Sequence, residues 1–118
     1  MTVRMPHQRD RELRKEVGRL ADEIEAEMRR LGLWSDSPPA EADVLAGGAF
    51  GQRAVSFEQW LQVVLIARLR AVAAGTMEPP RSSSVGTQAL REWDGIHEYE
   101  HLGSLLSKLD GVIVRNAT

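Results

Sequence analysis

Residues 56–74, Ser-Phe-Glu-Gln-Trp-Leu-Gln-Val-Val-Leu-Ile-Ala-Arg-Leu-Arg-Ala-Val-Ala-Ala, form the only stretch of this chain apolar enough to be buried on most of its circumference. Ser56 and Gln59 have the spacing of a capping box, and Gly75 follows as a C-terminal cap, so the sequence predicts a central helix between them. Two apolar stripes along this helix indicate that neighbouring elements cover two of its faces. The stripes contain Phe57, Leu61, Val64, Leu65 and Val72, and Trp60, Val63, Ile66, Leu69 and Ala73.

The remaining apolar periodicity predicts three further helices. The first runs from about residue 7 to 31 before Gly32, a short one runs from Ser84 or Thr87 through Trp93, and the last covers about residues 97–114. We therefore expect an all-α fold, a small helical bundle of three long helices plus one short helix. The apolar positions are Leu13, Val17, Leu20, Ile24, Met28 and Leu31 in the first helix, Ala89, Leu90 and Trp93 in the short helix, and Leu102, Leu105, Leu106, Leu109, Val112 and Ile113 in the last helix.

Residues 35–55 are predicted to form a long loop between the first two long helices, because two prolines, three glycines and the absence of apolar periodicity favour no regular element. Loops of this length in a compact domain are usually either functional or disordered. We expect Phe50 to anchor the loop and Trp34 to cover the edge of the core. Residues 1–6 are expected to be flexible, with Pro6 placed to precede or open the first helix.

Length and composition limit the classes of function. The chain has 118 residues, a formal net charge of −2 and no cysteine. A single domain over residues 1–118 is expected, without disulfide or thiolate chemistry. The lack of net positive charge disfavours nucleic-acid binding through phosphates alone. We expect a cytoplasmic protein that does not enter a membrane, because no apolar run is long enough to span one.

Three stretches of the chain resemble the YqcC-like family of small bacterial proteins. They are Ile-Glu-Ala-Glu-Met-Arg-Arg-Leu-Gly-Leu-Trp at 24–34, Phe-Glu-Gln-Trp-Leu-Gln at 57–62 and Leu-Ile-Ala-Arg-Leu at 65–69, and the likeness extends over 105–113. The resemblance implies an all-helical bundle with no settled activity, and no catalytic residues can be transferred from it to this chain. It also implies a helper role in RNA modification, since members often come from genes beside a tRNA pseudouridine synthase.

A binding surface is predicted in a groove between the first helix and the central helix. Trp34 and the loop with Phe50 would rim this groove and receive a partner or a small ligand. Four residues that match the family pattern also have plain structural interpretations, for example Trp60 in the core, Gln59 as a cap and Arg68 as a solvated side chain. The fourth is Gln62. The candidate binding residues are Trp34, Phe50, Gln59, Trp60, Gln62 and Arg68.

One short motif carries the pattern of a metal site. His97-Glu98-Tyr99-Glu100-His101 matches His-Glu-x-x-His, in which two histidines four residues apart bind one zinc ion and the glutamate polarises a water. A catalytic zinc needs a third protein ligand, and only Asp110 follows the motif. We therefore expect no metal or cofactor, with His97 and His101 as the candidate ligands if a metal binds.

These features favour a non-enzymatic interaction or adaptor protein that assists a tRNA pseudouridine synthase and binds a protein partner of unknown identity. One alternative is a helical bundle that binds a small ligand. A more distant alternative is a zinc-dependent hydrolase that uses His97, Glu98 and His101. Affinity capture and native mass spectrometry would separate the first two, because the first predicts a copurifying protein and the second a tightly bound small molecule.

Overall fold

A computed structural model of the chain describes residues 6–48 and 55–117, which form helices joined by turns and irregular segments and contain no strand. Helix α1 spans Pro6–Arg30 and α2 spans Glu41–Gly48. The central helix follows as three continuous segments: α3, Phe57–Trp60, a π-helical segment, Leu61–Ile66, and α4, Ala67–Ala74. Helix α5 spans Val85–Glu92, and a 3₁₀ turn, His97–Tyr99, leads into α6, Glu100–Asn116. The predicted all-α class is confirmed.

The core is built from apolar stripes on α1, the central helix and α6. Helix α1 packs against α4 and α6, and α5 packs against α6. The predicted positions in α1 are buried except Leu31, which is partly buried at the edge of the core. All six predicted positions of α6 are buried. The periodicity of apolar residues therefore identified the packed faces of these helices correctly.

Both ends of the central helix have the predicted caps. The hydroxyl of Ser56 accepts a hydrogen bond from the N–H of Gln59 at 3.1 Å, and the Gln59 side chain accepts one from the N–H of Ser56 at 3.2 Å. Gly75 has a φ of 84°, and its N–H donates to the carbonyl of Val72 at 3.1 Å. A left-handed residue without a Cβ allows this closing turn at no steric cost.

The middle of the central helix differs from the regular α-helix that the sequence predicts. Residues Leu61–Ile66 form a π-helical turn, which inserts an extra residue and rotates the later side chains relative to the earlier ones. Leu61, Leu65 and Ile66 are all buried. The π-helical segment therefore lies against the core.

The prediction of one continuous loop over residues 35–55 is wrong for residues 41–48, which form α2. Glu41 and Asp43 lie in its first turn, where carboxylates complement the positive end of a helix. Val44 is buried at 2% exposure. A helix that buries one large side chain shows no apolar repeat, and for this reason the pattern missed it. Phe50 lies outside the described residues.

Two local expectations also differ from the structure. Pro6 opens α1, as its fit to the first turn of a helix predicts, so the flexible segment expected over residues 1–6 does not include it; residues 1–5 lie outside the described part of the chain. Leu90 was expected on the packed side of α5, but it is 71% exposed. The packed side consists of Gly86, Ala89 and Trp93, which recur at helical spacing.

None of the helices that the structure describes could cross a membrane, since none is long and apolar enough.

Helix α5 crosses α6 very closely at Gly86. A Cβ atom added to Gly86 would lie 2.7 Å from the Cα atom of Ser107, a distance that real Cβ contacts do not reach. The backbones of the two helices therefore approach to a separation that glycine alone permits at this position.

Candidate functional site

A cleft of about 450 Å³ lies between the central helix, the segment that follows Gly75, and α6. We call it the Trp60 cleft. Its buried base is apolar, whereas Trp60 and Arg68 at its edge are partly exposed. The base consists of Val64, Leu65, Leu69, Val72 and Ile113. An apolar cavity with a few polar groups at its edge has the composition of a binding site.

Trp60 is held in place by neighbouring aromatic rings. Its ring stacks on Phe57 with a centroid distance of 6.2 Å and an interplanar angle of 10°. Phe57 in turn packs at 5.2 Å against Trp93, and Trp93 meets Tyr99 edge-on at 5.3 Å. Aromatic stacking of this kind fixes ring orientation and adds to the free energy of burial. Trp60 therefore presents an ordered apolar surface to the cleft.

Arg68 contributes a positive charge at the edge of the Trp60 cleft. Its side chain is 51% exposed, and the nearest carboxylate, that of Glu41 in α2, lies 4.0 Å away. An exposed ion pair at this distance has little binding energy because water screens it. The guanidinium can therefore pair with an anionic group of a ligand or partner at little cost.

The segment after Gly75 forms one wall of the Trp60 cleft, and Arg14 of α1 holds this segment in place. Its guanidinium donates to the carbonyls of Val72 at 2.7 Å and Met77 at 2.8 Å, and also to Asp10 at 2.8 Å. The sequence suggests only the pair with Asp10. No local spacing indicates the other two acceptors, which lie 58 and 63 residues away along the chain.

Asp110 of α6 holds the start of α5. Its carboxylate accepts hydrogen bonds from the N–H groups of Val85 at 3.0 Å and Gly86 at 2.8 Å, and from the hydroxyl of Ser83. The sequence predicts a cap by Ser84 or Thr87, but the Ser84 side chain makes no capping bond. A carboxylate from another helix satisfies these free N–H groups instead.

Three of the predicted binding residues serve local structure. Gln62 is 8% exposed, and its amide group exchanges two hydrogen bonds with the backbone of Ser35, at 2.9 and 2.7 Å. Gln59 completes the capping box, and Trp34 lies under the guanidinium of Arg29 at 5.0 Å. Of the five predicted residues that the structure describes, it brings together only Trp60 and Arg68. They meet at the Trp60 cleft, which no residue of α1 lines, and not in the predicted groove between α1 and the central helix.

Charged pairs support the packing of α1. Glu27 is buried and accepts hydrogen bonds from Arg30 at 2.8 and 2.6 Å, which hold the pKa of Glu27 below its ordinary value although burial opposes this. Arg70 of α4 donates to Asp22 at 2.7 Å and to Glu25 at 2.6 Å. Burial raises the pKa of Glu25, but hydrogen bonds from Arg29 and Arg70 outweigh burial and lower it.

The His97 to His101 motif spans the junction of the 3₁₀ turn and α6. Both histidines are exposed, and Nδ1 of His97 lies 2.8 Å from the carboxylate of Glu100. Within residues 6–48 and 55–117, no group of three or more His, Cys, Asp or Glu side chains is placed to hold a metal ion. Asp110, the one acidic residue that follows the motif, is engaged at the start of α5.

Comparison with known proteins places these features in a wider group. A family model described as "tRNA pseudouridine synthase C" (DUF446) matches residues 16–112, a range that includes Trp60, Arg68 and Asp110. A protein of Haemophilus influenzae, named only as an uncharacterized protein, is 25% identical over 89 residues, which are 73% of this chain and 84% of that protein. No solved structure shows significant similarity to this chain.

Proposed function

This chain belongs to the DUF446 family, and from that premise we propose that it is a non-enzymatic interaction protein that assists a tRNA pseudouridine synthase. The family description names this class of enzyme, and the resemblance to YqcC-like proteins suggests the same association. We further propose that the chain is a YqcC-like protein and acts in the cytoplasm, beside the tRNA on which such an enzyme works.

The observation that carries this proposal is the Trp60 cleft. Its apolar base matches a bulky apolar side chain of a partner, and an ordered aromatic ring at the edge is the kind of residue that dominates binding energy at protein interfaces. Arg68 would pair with a carboxylate beside that side chain. The partner therefore presents an apolar residue next to an acidic one.

The acidic groups near the cleft favour an interaction protein over an enzyme. Among the described residues, Glu78 is the one acidic side chain that lines the Trp60 cleft, and it is 94% exposed. A general acid or base needs a fixed position and an environment that adjusts its pKa. Asp10 and Asp110 are already engaged by Arg14 and by the start of α5.

The size of the cleft supports a second candidate, a protein that binds a small ligand. About 450 Å³ lies within the range of small-molecule sites, roughly 300–1,000 Å³. Arg68 would then pair with an anionic group of the ligand. The two candidates share one surface and differ in what occupies it.

Direct titration with the partner enzyme tests the proposal. Purified chain is titrated by calorimetry with a tRNA pseudouridine synthase from the same organism, and Arg68→Glu is compared with Arg19→Glu. Arg19 is an exposed arginine of α1 that does not line the cleft, so its variant carries the same change of charge. We expect a complex that Arg68→Glu weakens by about tenfold or more, because a pair of opposite charges becomes a repulsive one. Arg19→Glu should bind like the unmodified chain.

Two results would contradict this function. Absence of any complex, together with a stoichiometric small molecule in native mass spectrometry, would establish the ligand-binding alternative. A complex that both variants form equally well would show that the Trp60 cleft is not the docking surface.

A further inference from the structure

A second concave surface lies between α5, the turn after it, and the first half of α6. Its volume is about 630 Å³, and we call it the Leu90 groove. Ala89 and Trp93 are buried at its base, whereas Leu90 and Ile96 at its sides are 71% and 39% exposed. It shares no lining residue with the Trp60 cleft. The two surfaces can therefore be tested separately.

Leu90 has the highest exposure of the large apolar residues that the structure describes. A single exposed leucine is common, but Leu90 and Ile96 line one groove whose base is also apolar. Covering both side chains would remove a continuous apolar surface from water and so favour association.

Space for an incoming side chain exists beside Gly103 of α6. A Cβ atom added at Gly103 would meet no atom within 4 Å, although the residue lines the groove. Glycine in a helix interior costs roughly 1 kcal/mol relative to alanine. In the Leu90 groove, this residue leaves room that a larger side chain would fill.

The charges around the Leu90 groove restrict its occupant. The segment 88–100 carries four acidic residues, Glu92, Asp94, Glu98 and Glu100, against one arginine, Arg91. All five side chains are exposed, and Asp94 and Glu100 line the groove itself. His97 also lines it, and its Nδ1 lies 2.8 Å from one carboxylate oxygen of Glu100. A negative rim repels nucleic-acid phosphates and attracts lysine and arginine side chains.

We propose that the Leu90 groove binds a segment of a partner protein in which a bulky apolar residue is flanked by lysine or arginine. The apolar residue occupies the space beside Gly103 and covers Leu90 and Ile96. The basic residues pair with Asp94 and Glu100. This surface is additional to the Trp60 cleft, and it gives the chain the means to contact two partner segments at once.

Peptide selection tests this proposal. A phage-displayed library of random peptides is selected on the full-length chain, and the enriched peptides are synthesised and titrated in low and high salt. We expect the enriched sequences to share an apolar residue between basic residues. Their binding should weaken several-fold in high salt, because ions screen the negative rim.

A variant that fills the Leu90 groove, compared with a matched control, tests whether the peptides bind there. Gly103→Leu should weaken binding of these peptides by about thirtyfold, the loss typical of a blocked hot spot. Gly111→Leu is the control, because Gly111 lies on the same helix, has equal space for a Cβ atom and does not line the groove. Leu90→Asn tests the apolar wall, with Val114→Asn as the exposed control.

Three outcomes would overturn the proposal. Enriched peptides that lack basic residues would contradict the role of the rim. Equal binding to Gly103→Leu and Gly111→Leu would place the peptides elsewhere on the chain. Self-association of the free chain that Leu90→Asn abolishes would show that a second copy, and not a partner segment, occupies the groove.

Discussion

The long helices of this protein and the segment that joins them are held in place by different interactions. Helices α1 and α6 and the central helix bury continuous apolar stripes. Residues 75–93, which include α5, bury mainly Ala89 and Trp93. Polar groups from two other helices hold this segment as well: Arg14 binds the carbonyl of Met77, and Asp110 binds the first N–H groups of α5.

This difference matters for function because both candidate surfaces depend on the joining segment. Most residues between 77 and 85 line the Trp60 cleft, and most of those between 89 and 96 line the Leu90 groove. Segments with few buried apolar contacts open locally at lower free energy than a packed core. Both candidate surfaces therefore lie partly on a segment that polar groups of α1 and α6 help to hold in place.

Leu106→Ala is expected to have the largest effect, because Leu106 is fully buried on α6. Removing its side chain loses apolar contacts and leaves a cavity, at a cost of about 2–5 kcal/mol in the free energy of unfolding. Urea denaturation measures this loss. Leu90→Ala makes the same change at a site that is 71% exposed, and should stay within about 0.5 kcal/mol of the unmodified chain. Equal losses in both variants would show that α6 does not form the core as described.

Asp110→Ala is expected to cost less, about 1–3 kcal/mol, because it leaves the N–H groups of Val85 and Gly86 without their acceptor. Asp110→Asn retains an acceptor oxygen and should lose only part of this free energy. Asp94→Ala, at an exposed aspartate of the same region, provides the control. A loss no larger than that of the control, measured in urea, would mean that α5 does not need this carboxylate.

Arg14→Ala is expected to cost about 1 kcal/mol, because water can replace part of the hydrogen bonding that the guanidinium supplies. Its clearer effect should be faster limited proteolysis near Met77, whose carbonyl loses its Arg14 donor. Arg11→Ala, at an exposed position of the same helix, controls for the loss of charge. Cleavage at the same rate in both variants would contradict a role for Arg14 in holding the segment.

The smallest expected effect is on the acid dependence of stability. The pKa of Glu27 in the folded chain is below its ordinary value of 4.5, so the folded state binds fewer protons than the unfolded state near this pH. The stabilisation that ionised Glu27 gives to the folded chain is therefore complete above pH 4.5. It is lost as the pH falls through the lowered pKa of Glu27.

Glu27→Gln tests this acid dependence. Its deficit in unfolding free energy should shrink between about pH 6 and about pH 3, because protonation removes the same charge from the unmodified chain. Glu23→Gln, at an exposed glutamate of α1, controls for the general loss of a charge. A deficit that stays constant with pH would show that the pair of Glu27 with Arg30 does not stabilise the fold.

The difference between local apolar stripes and long-range polar contacts also explains which features the sequence could predict. The faces of α1 and α6 were predictable, because positions such as Leu20 and Leu106 recur at a local helical period. The hydrogen bonds of Arg14 and Asp110 to distant backbone groups were not, because those partners lie 24 to 63 residues away and carry no residue signature. Residues 41–48 were missed because one buried valine does not form a pattern.

Amide hydrogen exchange under native conditions tests the difference between the two regions most directly, with Asp110→Ala compared to Leu106→Ala. In the unmodified chain, the amides of α5 should exchange faster than those of α1 and α6. Asp110→Ala should accelerate exchange in α5 and leave α1 unchanged, whereas Leu106→Ala should accelerate exchange in both. Equal acceleration of α1 and α5 by Asp110→Ala would show that the joining segment and the long helices unfold as one unit, which would contradict the separation proposed between them.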